Sequence, residues 1–418
     1  MSDSVVAPIA GADSDFDRRL AALAELCVAR GVNLQRGQEL IVSAPLDAAA
    51  LVRQVARRAY ARGSKSVTCV YEDPLLIRDH IVEADIDALA YAPEWMYRGM
   101  AEGLGAGAAR LQIVGPYPDL LSGVATDRII RAHGALAHAS RAVAPLIAAA
   151  AINWSVVPIV TRSWARHVFP DAPEEAAQRQ LWGIVFDVTR ASDAEPLQAF
   201  DAHLRALDAR REGLQRRDFR SLRFFDGTTD LRVDLADGHR WLGGTVVAAN
   251  GVAGVQSIPT EEVFTALRGD AAHGHVLFSR PLALGGAVVE NLYAVFDHGA
   301  LITTTADRGL EAFQQLIAAD GGAGKLGEVG LVPASSRVAR TGISFRNPLF
   351  DRNAASHVAF GQSPVAGVDR RVSSTDLGGA NDSAMHIDCA LGHAAMHVDG
   401  VTRSGDVVPV MRDGAFVD

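Results

Sequence analysis

SLRFFDGTTDLRVDLADGHRWLGGTVVAAN, residues 221–250, is where the chain changes character. Residues 222–225, 230–235 and 241–249 read as strands, separated by the turn pairs Asp226-Gly227 and Asp237-Gly238. Asp-Gly between apolar runs is a hairpin signal, because the turn needs backbone angles that glycine adopts freely. Further on, residues 288–296 and 301–305 read as another hairpin around Asp297-His298-Gly299.

Upstream the texture is different. Residues 173–217 form a long helical zone dense in Ala, Arg, Glu and Gln. Before it, strand and helix signals alternate. Ser14 with Asp17 makes a capping-box-like start, Phe16, Leu20, Leu23 and Cys27 share one helical face, and Gly31 is the stop. Residues 40–43, 66–71 and 111–114 read as strands; residues 47–62 and the segment from Pro93 to Met100 read as helices. Such alternation implies a parallel or mixed sheet covered by helices. The Gly103–Gly107 stretch is no dinucleotide fingerprint, because it precedes a strand instead of following one. The expected architecture is an α/β N-terminal domain over 1–210 and an α+β, β-rich, metal-binding C-terminal domain over 211–418, with the change near 205–220.

The composition narrows the function classes. A chain of 418 residues, 49% hydrophobic, is too long for one ordinary domain. No apolar run reaches the roughly 18 residues of a membrane span. The N-terminal stretch lacks a basic segment followed by an apolar one, and reads as a short mobile tail. Net charge is −9 with the signs interspersed, so no basic stripe for nucleic acid is present. Cys27, Cys69 and Cys389 are far apart and form no CxxC pair. A cytoplasmic protein is expected, and any metal site must use imidazole and carboxylate ligands.

Candidate ligands concentrate in the C-terminal half. His386 and Asp388, in NDSAMHID, are two apart; on a strand they face one side and can share a divalent ion or simply bond each other. Glu262, after a Pro-Thr turn, reads as a ligand or as a helix N-terminal charge. Glu328, between Leu326 and Val329, leaves the same choice open. His357, before Val358-Ala359-Phe360, reads as a ligand or as a core histidine.

Taken together, GQELIVSAP, NWSVVPIVTRSWARHVFP, IPTEEVFTA, the LGEV segment, NPLFDRNAASHVAFG, NDSAMHID and DGVTRSGDVVPVMRDGAF resemble, in order and spacing, the M29 family of metallo-aminopeptidases over nearly the whole chain. The resemblance implies one or two divalent ions (Mn, Zn or Co) held by Glu262, Glu328, His357, His386 and Asp388. It also implies a homodimer or larger oligomer.

This sequence departs from the family pattern near those residues. Pro364 stands where the family has a tyrosine seven residues after the first histidine. Arg346 replaces an aromatic, Arg352 an acid, Leu267 a proline, and Cys389-Ala390 follow the His-x-Asp pair. A guanidinium beside a metal suits a carboxylate-bearing small-molecule substrate. The favoured expectation is therefore a C–N-cleaving hydrolase of the 5-nitroanthranilate aminohydrolase branch. In it Arg346 holds the substrate carboxylate, and Glu262 or Glu328 carries the proton. The alternatives are an aminopeptidase releasing N-terminal residues and an iron-dependent dihydroxypyridine dioxygenase.

Overall fold

The computed structural model describes residues 14–284, 287–369 and 377–417. Most of the tail expected at the N-terminus, residues 1–13, lies outside the described residues.

The first part of the chain is an α/β layer. Strands Glu39–Pro45, Ser66–Glu72, Ala109–Val114 and Trp154–Pro158 make a parallel sheet in the order second, first, third, fourth. Parallel neighbours need crossovers, and helices such as Ala49–Ala61, Pro74–Glu83, Glu94–Gly105 and Thr126–Ala139 supply them. Leu40, Val42, Leu111, Ile113 and Val157 are buried in the sheet, and Leu20, Leu23 and Leu26 of helix Ser14–Leu26 belong to the same core. The helical zone read over 173–217 is two helices, Glu174–Val188 and Pro196–Arg217. The chain turns between them at Arg190, which takes a left-handed φ of 66°. Pro196 restarts the helix because its missing N–H costs nothing in a first turn.

The second part is built on an eleven-stranded sheet whose pairings are antiparallel. The first expected hairpin forms as Phe219–Phe225 with Asp230–Leu235. Asp226 closes its turn by accepting the N–H groups of Thr228 and Thr229. The third expected strand, 241–249, does not form beyond Val246–Val247. Gly243 and Gly244 take positive φ there, and the Trp241 N–H donates to the Gln215 side chain. The partner of Asp230–Leu235 is instead the long strand Val263–Leu277. Its apolar alternation is interrupted by Arg268-Gly269-Asp270 and by Gly274. Gly274 is where the two strands crowd: a Cβ there would lie 2.0 Å from the Asp230 carbonyl oxygen. The last expected hairpin is Tyr293–Asp297 with Ala300–Thr305, its first strand shorter than read.

Two contacts join these parts next to the candidate ligands. Residues 256–258 run beside Trp154–Pro158, with Val156 N–H donating to Gln256 O and Ile258 N–H to Val156 O, both at 2.9 Å. Trp164 packs against Phe345 and Phe350, and its Nε1–H donates to Phe345 O at 2.8 Å. Both segments that lead into the site, the one before Glu262 and the one before His357, are thus pinned to the α/β layer. Among the described residues no helix is long and apolar enough to cross a membrane.

Candidate metal centre

Four neighbouring strands of the large sheet carry the site: His386–Ala390, His357–Gly361, Leu326–Leu331 and Val263–Leu277, in that order. Their register explains why five residues scattered over 127 positions of sequence, from Glu262 to Asp388, meet. Glu328 pairs with Ala359, and Ala359 with Asp388, so the two carboxylates lie in one row with only a methyl between them. His357 pairs with Gly330, and His386 with Gly361. Side chains alternate along a strand. Residues 328, 330, 357, 359, 386 and 388 therefore share one face. Val329, Leu331, Val358, Phe360 and Cys389 point the other way into the core, where Phe360 meets Phe278, Phe296 and Phe313. Glu262 enters just before Val263, which pairs with Leu331.

Room for the imidazole comes from glycine. A Cβ on Gly330 would lie 2.4 Å from His357 Nε2 and 2.2 Å from its Cε1. Only a residue without a side chain lets the ring lie across that strand.

The donor atoms face one another closely. His357 Nε2 is 3.3 Å from Glu262 Oε2, 3.6 Å from Glu328 Oε1 and 3.9 Å from Asp388 Oδ1. His386 Nε2 is 3.2 Å from Asp388 Oδ1 and 3.9 Å from Glu328 Oε2. Two sets of three ligands result, Glu262–Glu328–His357 and Glu328–His386–Asp388, each with donor atoms within 4.8 Å of one another and both using Glu328. Ligands about 2 Å from a common ion are separated by such distances. Each imidazole is aimed by its other nitrogen: His357 Nδ1 lies 3.1 Å from Ala355 O, and His386 Nδ1 lies 2.8 Å from Gln362 O. A backbone carbonyl there takes the Nδ1 proton and leaves Nε2 for the centre.

The charge state suits a cation. Burial works against protonating His357, yet the surrounding Glu328, Asp388 and Glu262 carboxylates outweigh it and push the imidazole up to about 9. His386 is likewise pushed up to about 9, against burial, by Asp388 and Glu328. Burial raises Glu262, with Arg352 and His357 opposing. Burial also acts to raise Asp388, but the two imidazoles prevail and lower it. Protons thus balance here the charge that a divalent ion would balance. Glu262 Oε2 and His357 Nε2 are moreover buried with no hydrogen-bond partner, a costly arrangement that ligation relieves. Oxygen and nitrogen donors without thiolates suit a borderline or hard divalent ion.

The residues behind the ligands came less easily from sequence. Asn353 Oδ1 accepts the Glu261 N–H at 2.6 Å and its Nδ2 donates to Pro259 O at 3.4 Å, tying the two ligand-bearing segments together. Glu261 itself is buried against Arg190, 2.9 Å away, and His203. Arg346, expected to hold substrate, is exposed, with Nη1 2.6 Å from His167 Nε2. The arginine at the centre is Arg352, whose Nε is 3.3 Å from Glu262 Oε1. The stretch between them includes the short helix Pro348–Asp351, which turns the two side chains to different places.

The chain matches the family model of thermophilic metalloproteases (M29) over residues 16–416. It is 42% identical over 404 residues to Aminopeptidase T of Thermus thermophilus, covering 96% of this chain and 99% of that one. It is 36% identical over 403 residues to Aminopeptidase 2 of Geobacillus stearothermophilus, covering 96% and 98%. The structure of wild-type AmpT from Thermus thermophilus is similar with a TM-score of 0.92 at 41% identity, covering 96% of this chain and 100% of that one.

Proposed function

The chain belongs to the thermophilic metalloprotease (M29) family, and from that premise we propose that it is a metallo-aminopeptidase releasing N-terminal residues from peptides. In this reading Glu262, Glu328, His357, His386 and Asp388 hold the divalent metal, with manganese, zinc or cobalt as the candidates. The observation that carries it is the pair of ligand sets joined at Glu328, with Glu262 Oε2 and His357 Nε2 buried and unpartnered. When bound, the ion supplies Lewis acidity and makes water a usable nucleophile near neutral pH.

The chain's own groups do the rest. Ala355 O and Gln362 O fix the two imidazoles. The glutamate carboxylates are placed to take a proton from the attacking water and return it to the departing amine. The aromatic-amine aminohydrolase reading, argued from Pro364 in place of a tyrosine and from Arg346, has no support: Arg346 faces His167, and the curated relatives are named aminopeptidases. Hydrolysis of leucyl-p-nitroanilide with added manganese, zinc or cobalt, abolished by chelation, is the expected result. Turnover of an electron-poor aminobenzoate or a dihydroxypyridine, with none of the anilide, defeats the proposal.

A further inference from the structure

We infer that Arg352 sets substrate preference: its guanidinium takes a carboxylate carried by the substrate close to the scissile amide. The inference rests on the aminopeptidase reading and names the substrates that site prefers.

The side chain is placed by two contacts. Nε faces Glu262 Oε1 at 3.3 Å, and Nη2 donates to Ser257 Oγ at 3.0 Å. Glu262 turns its other oxygen, Oε2, to His357 Nε2 at 3.3 Å. The guanidinium is therefore one carboxylate's width from the ligand cluster. A group two or three bonds from a carbonyl polarised there falls within its reach.

The two contacts do not exhaust the fork. A guanidinium has five N–H donors in a plane. Arg352 Nη1 has no hydrogen-bond partner among the described residues, and the side chain is 33% exposed while its Glu262 partner is 4% exposed. Nε is buried while the side chain as a whole is a third exposed, so its open surface is at the outer end of the guanidinium. Planar guanidinium and carboxylate match geometrically, and the charge-assisted bonds between them are stronger than neutral ones.

Charge points the same way. Glu262, Glu328 and Asp388 supply three carboxylates. One divalent ion together with Arg352 balances them, and a second ion leaves positive charge over. With one ion the site is neutral and with two it is positive, so in either case no excess negative charge opposes a substrate carboxylate at the outer donors of Arg352. Two kinds of substrate bring a carboxylate to that distance: peptides beginning with Asp or Glu, and dipeptides, whose terminal carboxylate follows the scissile bond closely.

The test combines binding with turnover. Cobalt-loaded protein is titrated calorimetrically with glutamate and with glutamine, which differ only in the side-chain carboxylate. The same preparation is assayed on glutamyl- and glutaminyl-p-nitroanilide and on Leu-Gly and Leu-Gly-amide. Wild-type protein, Arg352→Gln and Arg352→Lys are compared, with Arg346→Gln as a surface control. A preference of about ten- to a hundredfold for the acidic member of at least one pair is expected. It should vanish in Arg352→Gln, persist in part in Arg352→Lys, and stay intact in Arg346→Gln. Preference within the first pair assigns the carboxylate to the N-terminal side chain, and preference within the second assigns it to the dipeptide terminus. Equal handling of both pairs by wild-type protein overturns the inference. So does an Arg352→Gln variant that loses turnover on all four substrates alike while glutamate still outbinds glutamine. Failure of every anilide and peptide to turn over sinks the aminopeptidase reading instead, and the calorimetric comparison still decides whether Arg352 holds a carboxylate.

Discussion

The two ligand sets have nearly the same chemistry and opposite surroundings. Glu262, Glu328 and His357 are all buried, whereas His386 is 37% exposed and Asp388 19% in their side chains. In the sealed set two donor atoms have no hydrogen-bond partner. In the open set His386 and Asp388 bond each other and reach solvent. Water can stabilise the open set whether or not an ion is present. The sealed set has no such resource, and its charge must be matched from within, by an ion or by a proton on His357 with Arg352 beside it. The difference separates two situations that sequence motifs present as one: a closed set whose charge is balanced from within, and a partly open set that water reaches.

The largest effect is expected where the halves join. Glu328→Ala removes a ligand from both sets, so activity should fall more than about a hundredfold, as loss of even a supporting group around a metal costs 10–100-fold. Activity within tenfold of wild type would show that neither set needs the shared carboxylate. Next, His357→Ala and His386→Ala should both cripple metal-dependent turnover but part company in stability. The first leaves Glu262 and Glu328 sealed without their imidazole, at a cost of about 3–5 kcal/mol in chelator-treated protein. The second removes an exposed partner and should cost less than about 1 kcal/mol. Equal denaturation midpoints for the two variants erase the contrast between sealed and open.

A smaller effect tests the segment that delivers His357. Burial pushes the Asp351 carboxyl up to about 6, against the Phe345 and Asn347 N–H groups that it accepts. The folded value lies above the unfolded one of about 3.9. The protonated form is thus favoured in the fold, and its contribution is complete below about pH 4 and lost as pH rises through about 6. Wild-type protein should lose up to about 2 kcal/mol relative to Asp351→Asn across that window, after discounting for residual solvent contact. Urea unfolding at pH 4 and pH 7 decides it, and a difference that grows in favour of wild type refutes the sign. The smallest effect is expected at Arg346→Ala: a stability change within about 0.5 kcal/mol, as for ordinary surface positions, and turnover within twofold.

Sequence carried the ligands further than it carried the strands. Spacing put His386 and Asp388 on one face of a strand, which does form as His386–Ala390, but left open whether the pair shares an ion or bonds each other. Glu262, Glu328 and His357 were individually ambiguous. What unites them is cross-strand register, which depends on pairings between segments tens of residues apart. The strand Val263–Leu277 was missed because Arg268, Asp270 and two glycines break its pattern, though the sheet accommodates all four. Arg346 was preferred to Arg352 because no periodicity governs a loop broken by a four-residue helix. Arg190 and Glu261 gave no signal at all: a buried ion pair between a helix connection and a strand entry leaves no spacing to read.

Glu328 belongs to both ligand sets, so loading with two ions would form a thermodynamic cycle. If a first ion settles Oε1 toward His357, Oε2 is thereby oriented for the His386 side, and a second ion inherits a carboxylate already fixed but partly neutralised. The gain in orientation and the loss in charge act on the same affinity. By linkage, whatever factor the first ion imposes on the second the second imposes on the first. With two ions, occupancy of this centre would be two coupled steps whose spacing reports the sign of that balance.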